Sequence, residues 1–150
     1  MTKILFVCHG NICRSPMAEF IFKDEIKKRS LEGVFYAESA ATSTEEIGNP
    51  VYPPAARELA SHGISCRGHA ARRLCRDDLE KFDLFIGMDE ANRRNMLRIL
   101  GEGGRERIGL LLDFEGREVA DPWYSDRFDL AYGDIYRGVC ALIDRLTEDK

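Results

Sequence analysis

The sequence predicts an α/β domain built on a four-stranded parallel sheet with helices on both faces. Two observations lead there. Short apolar runs rich in β-branched and aromatic residues alternate with stretches of helical periodicity, and no linker, low-complexity tract or internal repeat interrupts them. The 150 residues, 44% of them hydrophobic, suffice for one core, so residues 1–150 read as a single domain.

The first run, "KILFV" from Lys3 to Val7, is too short for a helix and reads as a buried strand ending on Cys8. From Arg14 onward the pattern is helical: Pro16 suits a first turn, and Met17, Phe20, Ile21 and Ile26 form an apolar stripe. "GVFYAES", Gly33 to Ser39, gives a second strand, and "PPAARELASHG", Pro53 to Gly63, a helix with proline at its start and glycine past its end. "DLFIG" from Asp83 is a third strand, "DEANRRNMLRIL" from Asp89 a helix stopped by Gly101, and "IGLLL" from Ile108 a fourth strand. Phe128 to Leu146 forms a long closing helix in which Gly133 and Gly138 are weak points. The pattern is that of a flavodoxin-like or Rossmann-like three-layer sandwich, which binds ligands at the C-terminal ends of its strands. Cys8 lies at such an end.

The stretch "VCHGNICRS", Val7 to Ser15, is therefore a strand-to-helix turn carrying a thiol and a cation. The first N–H groups of a helix have no partner within it and point, with the positive end of the helix dipole, into the preceding loop, which makes an anion site. Gly10 and Asn11 are the residue types that best tolerate positive φ and let consecutive amides curl around one tetrahedral anion. A thiol in that field has its pKa lowered from about 8.5 towards roughly 3.5–7.5 and becomes a nucleophile at neutral pH. Arg14 can reach back to two phosphoryl oxygens bidentately. Cys8 alone reads as a small buried hydrophobe; the spacing of cysteine, five residues, arginine, serine and helix points to attack on phosphorus.

Phosphoryl transfer from an ester also needs an acid for the leaving oxygen. The candidate is Asp121 in "DPWYSD", held extended on a loop by Pro122 and followed by Trp123 and Tyr124. An Asp-Pro turn beside two core aromatics is the plainer reading of that stretch. An acid next to two rings, however, suits a substrate whose leaving group is itself aromatic.

The net charge of −4 argues against non-specific nucleic-acid binding. No apolar run approaches the ~18 residues of a membrane span, and the N-terminus enters a strand without a signal-peptide pattern, so a cytoplasmic protein with no membrane partner is expected. Five cysteines without regular spacing fit a reducing compartment better than a disulfide framework. With no C-x-x-C pair and no clustered histidines, no metal or other cofactor is expected.

"CHGNICRSP" together with "DPWY" resembles the low-molecular-weight protein tyrosine phosphatases, and the likeness extends through "ESAATS", "EIGNP", "HAAR" and "MDE". The resemblance implies phosphotyrosine hydrolysis in two steps: Cys8 forms a phosphocysteine that water then hydrolyses, with Asp121 serving first as acid and then as base. It implies that Arg14 and the loop amides of His9, Gly10, Asn11, Ile12, Cys13 and Arg14 hold the phosphoryl oxygens, while Ser15 hydrogen-bonds the Cys8 sulfur. It places Asn11 as the lock of a strained loop, with Ser39 and His69 as its partners. Asp89 matches an aspartate near that histidine, although a helix N-cap explains it equally well. Cys13 matches a second loop cysteine that bonds Cys8 reversibly under oxidation; a small residue fitting a crowded loop is the alternative. The implied partners are tyrosine-phosphorylated proteins and a phosphate or other oxyanion in the loop, with the protein a monomer capable of weak self-association.

The chain departs from the family pattern at the expected substrate pocket of His9, Ile12, Glu45, Trp123 and Tyr124. Glu45 stands where an aromatic residue is common, His9 where an aliphatic one is, and Trp123 replaces the first of two tyrosines. Such changes alter selectivity before chemistry. Three rivals share features of the pattern. A thioredoxin-linked arsenate reductase needs two further cysteines just after the third strand, and Asp83 to Leu100 contains none. A protein-arginine phosphatase carries threonine where this chain has Ile12, whose apolar side chain favours a flat phenyl ring. A phosphoprotein-binding module would be expected to lack Cys8, Arg14 or Asp121, and all three are present.

Overall fold

A computed structural model of the protein, which describes residues 1–148, contains the expected parallel sheet. Strands β1 (Thr2–Cys8), β2 (Phe35–Ala41), β3 (Leu84–Gly87) and β4 (Ile108–Leu110) lie in the order β2-β1-β3-β4, with every neighbouring pair parallel. The register sets Cys8 opposite Ala41 and Val7 opposite Gly87. The chain leaves β1 for one side of the sheet and later returns to the other. That reversal opens a crevice at the C-terminal end of β1, the usual ligand position in open α/β sheets.

The two faces follow from the period-2 alternation of β1. Ile4, Phe6 and Cys8 face a large core built with α1 (Arg14–Lys28), α2 (Pro53–Ser61) and α5 (Phe128–Glu148). Leu5 and Val7 face a smaller core, where Met96 and Leu100 of α3 (Glu90–Leu100) pack with Phe82 and Phe85. A single turn, α4 (Pro122–Ser125), precedes α5. Among the described residues, no helix is long and apolar enough to cross a membrane.

The boundaries shift from those expected for local reasons. β2 starts at Phe35 instead of Gly33, because the N–H groups of Val34 and Phe35 both donate to the Leu31 carbonyl in the turn that leaves α1. β4 stops at Leu110: the Asp113 carboxylate folds back to accept the Leu110 N–H, so Leu111 and Leu112 turn out of the strand into a 3-10 turn over Asp113–Glu115. α2 ends at Ser61, with Gly63 at φ 78° in the left-handed region just beyond it. Gly138 has a packing reason, because a Cβ there would lie 2.5 Å from Leu111 Cγ; at Gly133 a Cβ would meet nothing.

Candidate active site

Residues 9–13 join β1 to α1, and three backbone bonds from neighbouring segments hold them. Thr42 N–H donates to the Cys8 carbonyl, Ser43 N–H to that of His9, and Tyr52 N–H to that of Ile12. Asn11 takes the left-handed conformation, φ 60°, whereas Gly10 does not need positive φ as the sequence suggested. Glycine at position 10 instead keeps the loop close to Glu46, whose Cγ would lie 3.4 Å from an added Cβ. The strain at Asn11 is held in place by partners on three sides. Its Oδ1 accepts from Arg72 N–H at 3.2 Å, its Nδ2 donates to Ser15 Oγ at 2.8 Å, and its carbonyl accepts from His69 Nε2 at 2.8 Å. Because a carbonyl only accepts, the proton of the His69 ring is fixed on Nε2.

The Cys8 sulfur sits in the middle of this arrangement. It accepts from Asn11 N–H at 3.3 Å and from Ser15 N–H at 3.4 Å, and Ser15 Oγ lies 3.0 Å away. The Ser15 hydroxyl already accepts from Asn11, which leaves its own proton for the sulfur. No side chain caps α1 at Cys13, so Cys8 Sγ, taking Ser15 N–H, occupies the position a capping oxygen would fill. Three donors at a helix N-terminus are a setting suited to negative charge on sulfur.

Arg14, the first residue of α1, is buried, and its guanidinium is fixed by groups distant in sequence. Nη1 donates to the Val119 carbonyl at 2.7 Å and lies 2.9 Å from Asp89 Oδ2; Nη2 lies 3.6 Å from Asp121 Oδ2. Asp89 takes the N-cap role and, in place of the expected neighbourhood of His69, meets the cation: Oδ1 caps α3 by accepting Asn92 N–H, and Oδ2 meets Arg14. It is therefore committed to the cation rather than to His69. Asp121 is extended, φ −78° and ψ 112°, and its Oδ1 accepts Trp123 N–H at 3.0 Å.

Cys8, Arg14 and Asp121 line one cavity of about 290 Å³. Ile12, Cys13, Trp123 and Tyr124 also line it, as do Glu46 and the exposed His9 and Glu45. Trp123 and Tyr124 are exposed, which excludes the core-aromatic reading of "DPWYSD". Trp123 rests on Tyr52 with ring centroids 4.7 Å apart, so the loop bearing Asp121 docks on the residue that also binds Ile12. His9 Nε2 lies 3.1 Å from Glu45 Oε2. Cys13 is buried, and its thiol is pushed up to about 12, first by burial and then by the charges of Cys8 and Asp121.

A second expected partnership is corrected. Ser39 donates to Glu19 Oε1 at 2.5 Å, and the Asn11 side chain goes to Ser15 and Arg72 instead. Sequence reasoning also missed Glu46, Tyr52, the Arg72 amide and the Val119 carbonyl. Glu46 stands in the "EIGNP" stretch and was within reach; the backbone groups carry no side-chain signal. Cys66, Cys75 and Cys140 lie outside the cavity wall. Among the described residues, no group of three or more His, Cys, Asp or Glu could hold a metal ion.

The family model described as low molecular weight phosphotyrosine protein phosphatase matches residues 3–150. The low molecular weight protein-tyrosine-phosphatase YfkJ of Bacillus subtilis is 38% identical, covering 100% of this chain and 99% of that protein. The crystal structure of YfkJ superposes with a TM-score of 0.95 over 100% of this chain and 97% of that one. The low molecular weight phosphotyrosine protein phosphatase of Schizosaccharomyces pombe is 39% identical over 91% of this chain and 90% of its own. The crystal structure of SP-PTP from Streptococcus pyogenes, 34% identical, gives a TM-score of 0.89 over 97% of this chain and 93% of that one.

Proposed function

The chain belongs to the low molecular weight phosphotyrosine protein phosphatases, a family of hydrolases acting on phosphotyrosine proteins, and from that premise we propose that Cys8, Arg14 and Asp121 carry out the reaction. The observation that supports this most directly is that the Cys8 sulfur, the buried guanidinium and the Asp121 carboxylate line one cavity. The phosphoryl group sits over the loop from His9 to Ser15, with its oxygens on the loop amides and Arg14. Cys8 Sγ attacks phosphorus from the side opposite the phenolic oxygen. The S–P bond forms as the P–O bond breaks, and Asp121 gives its proton to the departing phenolate. In the second step Asp121 takes a proton from water, whose oxygen attacks phosphorus and returns the electron pair to sulfur, releasing phosphate.

Each residue has a role that its surroundings support. The donors around sulfur stabilise it both as nucleophile and as leaving group, and Arg14 offsets charge on the equatorial oxygens. Asp89 and Val119 hold Arg14 in one orientation through Nη1, so the rest of the guanidinium is pre-set for a tetrahedral anion. Ile12 and Trp123 give the cavity apolar walls suited to a phenyl ring, which favours an aryl ester over a guanidinium phosphate. Turnover of phosphotyrosine, phosphoserine and phosphoarginine peptides by the native protein tests the reading. Hydrolysis of the phosphotyrosine peptide well above the other two is expected, and preference for phosphoarginine would overturn it.

A further inference from the structure

We propose that Glu45 makes the mouth of the cavity selective for phosphotyrosines flanked by a lysine or arginine. The inference rests on the hydrolase reading of the same site and adds the class of peptide. Three carboxylates line the cavity, those of Glu45, Glu46 and Asp121, beside the His9 ring and the cation of the buried Arg14. Arg14 faces the phosphate and has no reach to the peptide on either side of it. Glu46 is tied down, accepting from Asn49 Nδ2 at 2.5 Å with its stem against Gly10. Glu45 is not: its side chain is 68% exposed, and its one polar side-chain contact among the described residues is the His9 ring, itself 56% exposed.

A bound phosphotyrosine fills the cavity with its ring, so its neighbours in the peptide lie across the rim. Adjacent residues of an extended peptide are about 3.3 Å apart along the chain, within side-chain reach of a carboxylate at the rim. A lysine or arginine there meets Glu45 and is attracted; a glutamate meets the same charge and is repelled. Both charges remain in contact with water, so each effect is small, and their sum sets the preference.

The test uses two phosphotyrosine peptides of identical sequence except for lysine or glutamate on both sides of the phosphotyrosine. The native protein should favour the lysine peptide by roughly three- to tenfold in kcat/KM, carried mainly by KM. Raising the salt from low ionic strength to about 0.5 M should bring that ratio close to one, because exposed charges are screened. Glu45→Gln should shrink the ratio and Glu45→Lys should invert it. Each ratio is internal to one protein, so it does not depend on how much of a variant is folded. Equal turnover of the two peptides by the native protein, or a ratio that neither salt nor substitution changes, would overturn the inference and leave the hydrolase reading intact. Failure to hydrolyse either peptide would overturn both.

Discussion

Arg14 Nη1 lies 2.9 Å from Asp89 Oδ2, while the other oxygen of the same carboxylate caps α3. One side chain thus joins the buried cation of the cavity to the start of a helix on the opposite face of the sheet, and its two duties can be separated. Asparagine caps a helix as well as aspartate does, but it brings no charge to Arg14. Asp89→Asn should lower kcat/KM on aryl phosphates by about tenfold or more, the scale of a charge-assisted hydrogen bond, with little change in melting temperature. Asp89→Ala should lose the same activity and, in addition, about 1 kcal/mol of stability. Native activity in both variants would remove Asp89 from the positioning of Arg14.

Replacing the nucleophile should separate binding from turnover. A serine hydroxyl does not ionise near neutral pH, yet the loop amides and Arg14 remain in place, so Cys8→Ser should lose turnover and still bind phosphate. Titration calorimetry with inorganic phosphate reads the second half of that statement. Turnover at the native rate would exclude Cys8 as the attacking group.

Asp121→Asn preserves the bond from Trp123 N–H but has no proton to give the leaving oxygen. Its cost should therefore follow the leaving group: about 10²–10⁴-fold in kcat on phosphotyrosine, and much less on a phenyl phosphate with strongly electron-withdrawing substituents. Single-turnover measurements of Cys8 phosphorylation give the comparison directly. Equal losses on both substrates would assign leaving-group protonation to another residue.

Cys13 should show itself in alkali and under oxidation. In an unfolded chain a thiol ionises near 8.5, whereas in the folded protein Cys13 is pushed up to about 12. Its neutral form therefore contributes stability that is fully present below the ordinary thiol range and is lost as pH rises towards 12. The native protein should lose more melting temperature than Cys13→Ser between neutral pH and about pH 10. With mild peroxide, Cys8 is oxidised to a sulfenic acid, and attack by the Cys13 sulfur expels water and leaves a disulfide. Thiol should then restore activity in the native protein and fail to restore it in Cys13→Ser. Mass spectrometry finding only a bond between Cys66 and Cys75 would exclude the pairing.

The two glycines of α5 should respond to alanine with opposite signs. At Gly138 a Cβ would lie 2.5 Å from Leu111 Cγ, so Gly138→Ala should cost about 1–3 kcal/mol through overpacking. At Gly133 there is open space, and alanine should add up to about 1 kcal/mol through helix propensity. Denaturant titrations in which alanine stabilises at both positions would show that propensity, not packing, decides at Gly138 as well.

These contrasts also mark how far the sequence could be read. That Cys8, Arg14 and Asp121 belong together in one cavity was legible because they are side chains at recognisable offsets, and β1 was legible because Ile4 to Val7 are apolar without interruption. The end of β4 was not, since "IGLLL" gives no sign that Asp113 will fold back on Leu110. Gly138 looked like a flaw in a helix until Leu111 was seen against it. The grip on Arg14 by the Val119 carbonyl, and on Asn11 by the Arg72 amide, comes from backbone atoms that every residue possesses, so only the folded chain reveals them. The family resemblance pairs Ser39 with Asn11, but the buried Glu19 carboxylate claims its hydroxyl.

Trp123 is the one tryptophan of the chain, and it is half exposed, its ring set at a tilt against that of Tyr52 and its backbone N–H bonded to Asp121. Indole emission shifts with the polarity around the ring, and no second indole dilutes the signal. The protein thus carries its own optical reporter at the cavity wall. Any oxyanion or aryl ligand that changes the packing of Trp123 on Tyr52, or the water around it, can be followed by intrinsic fluorescence, without a label and on the timescale of mixing.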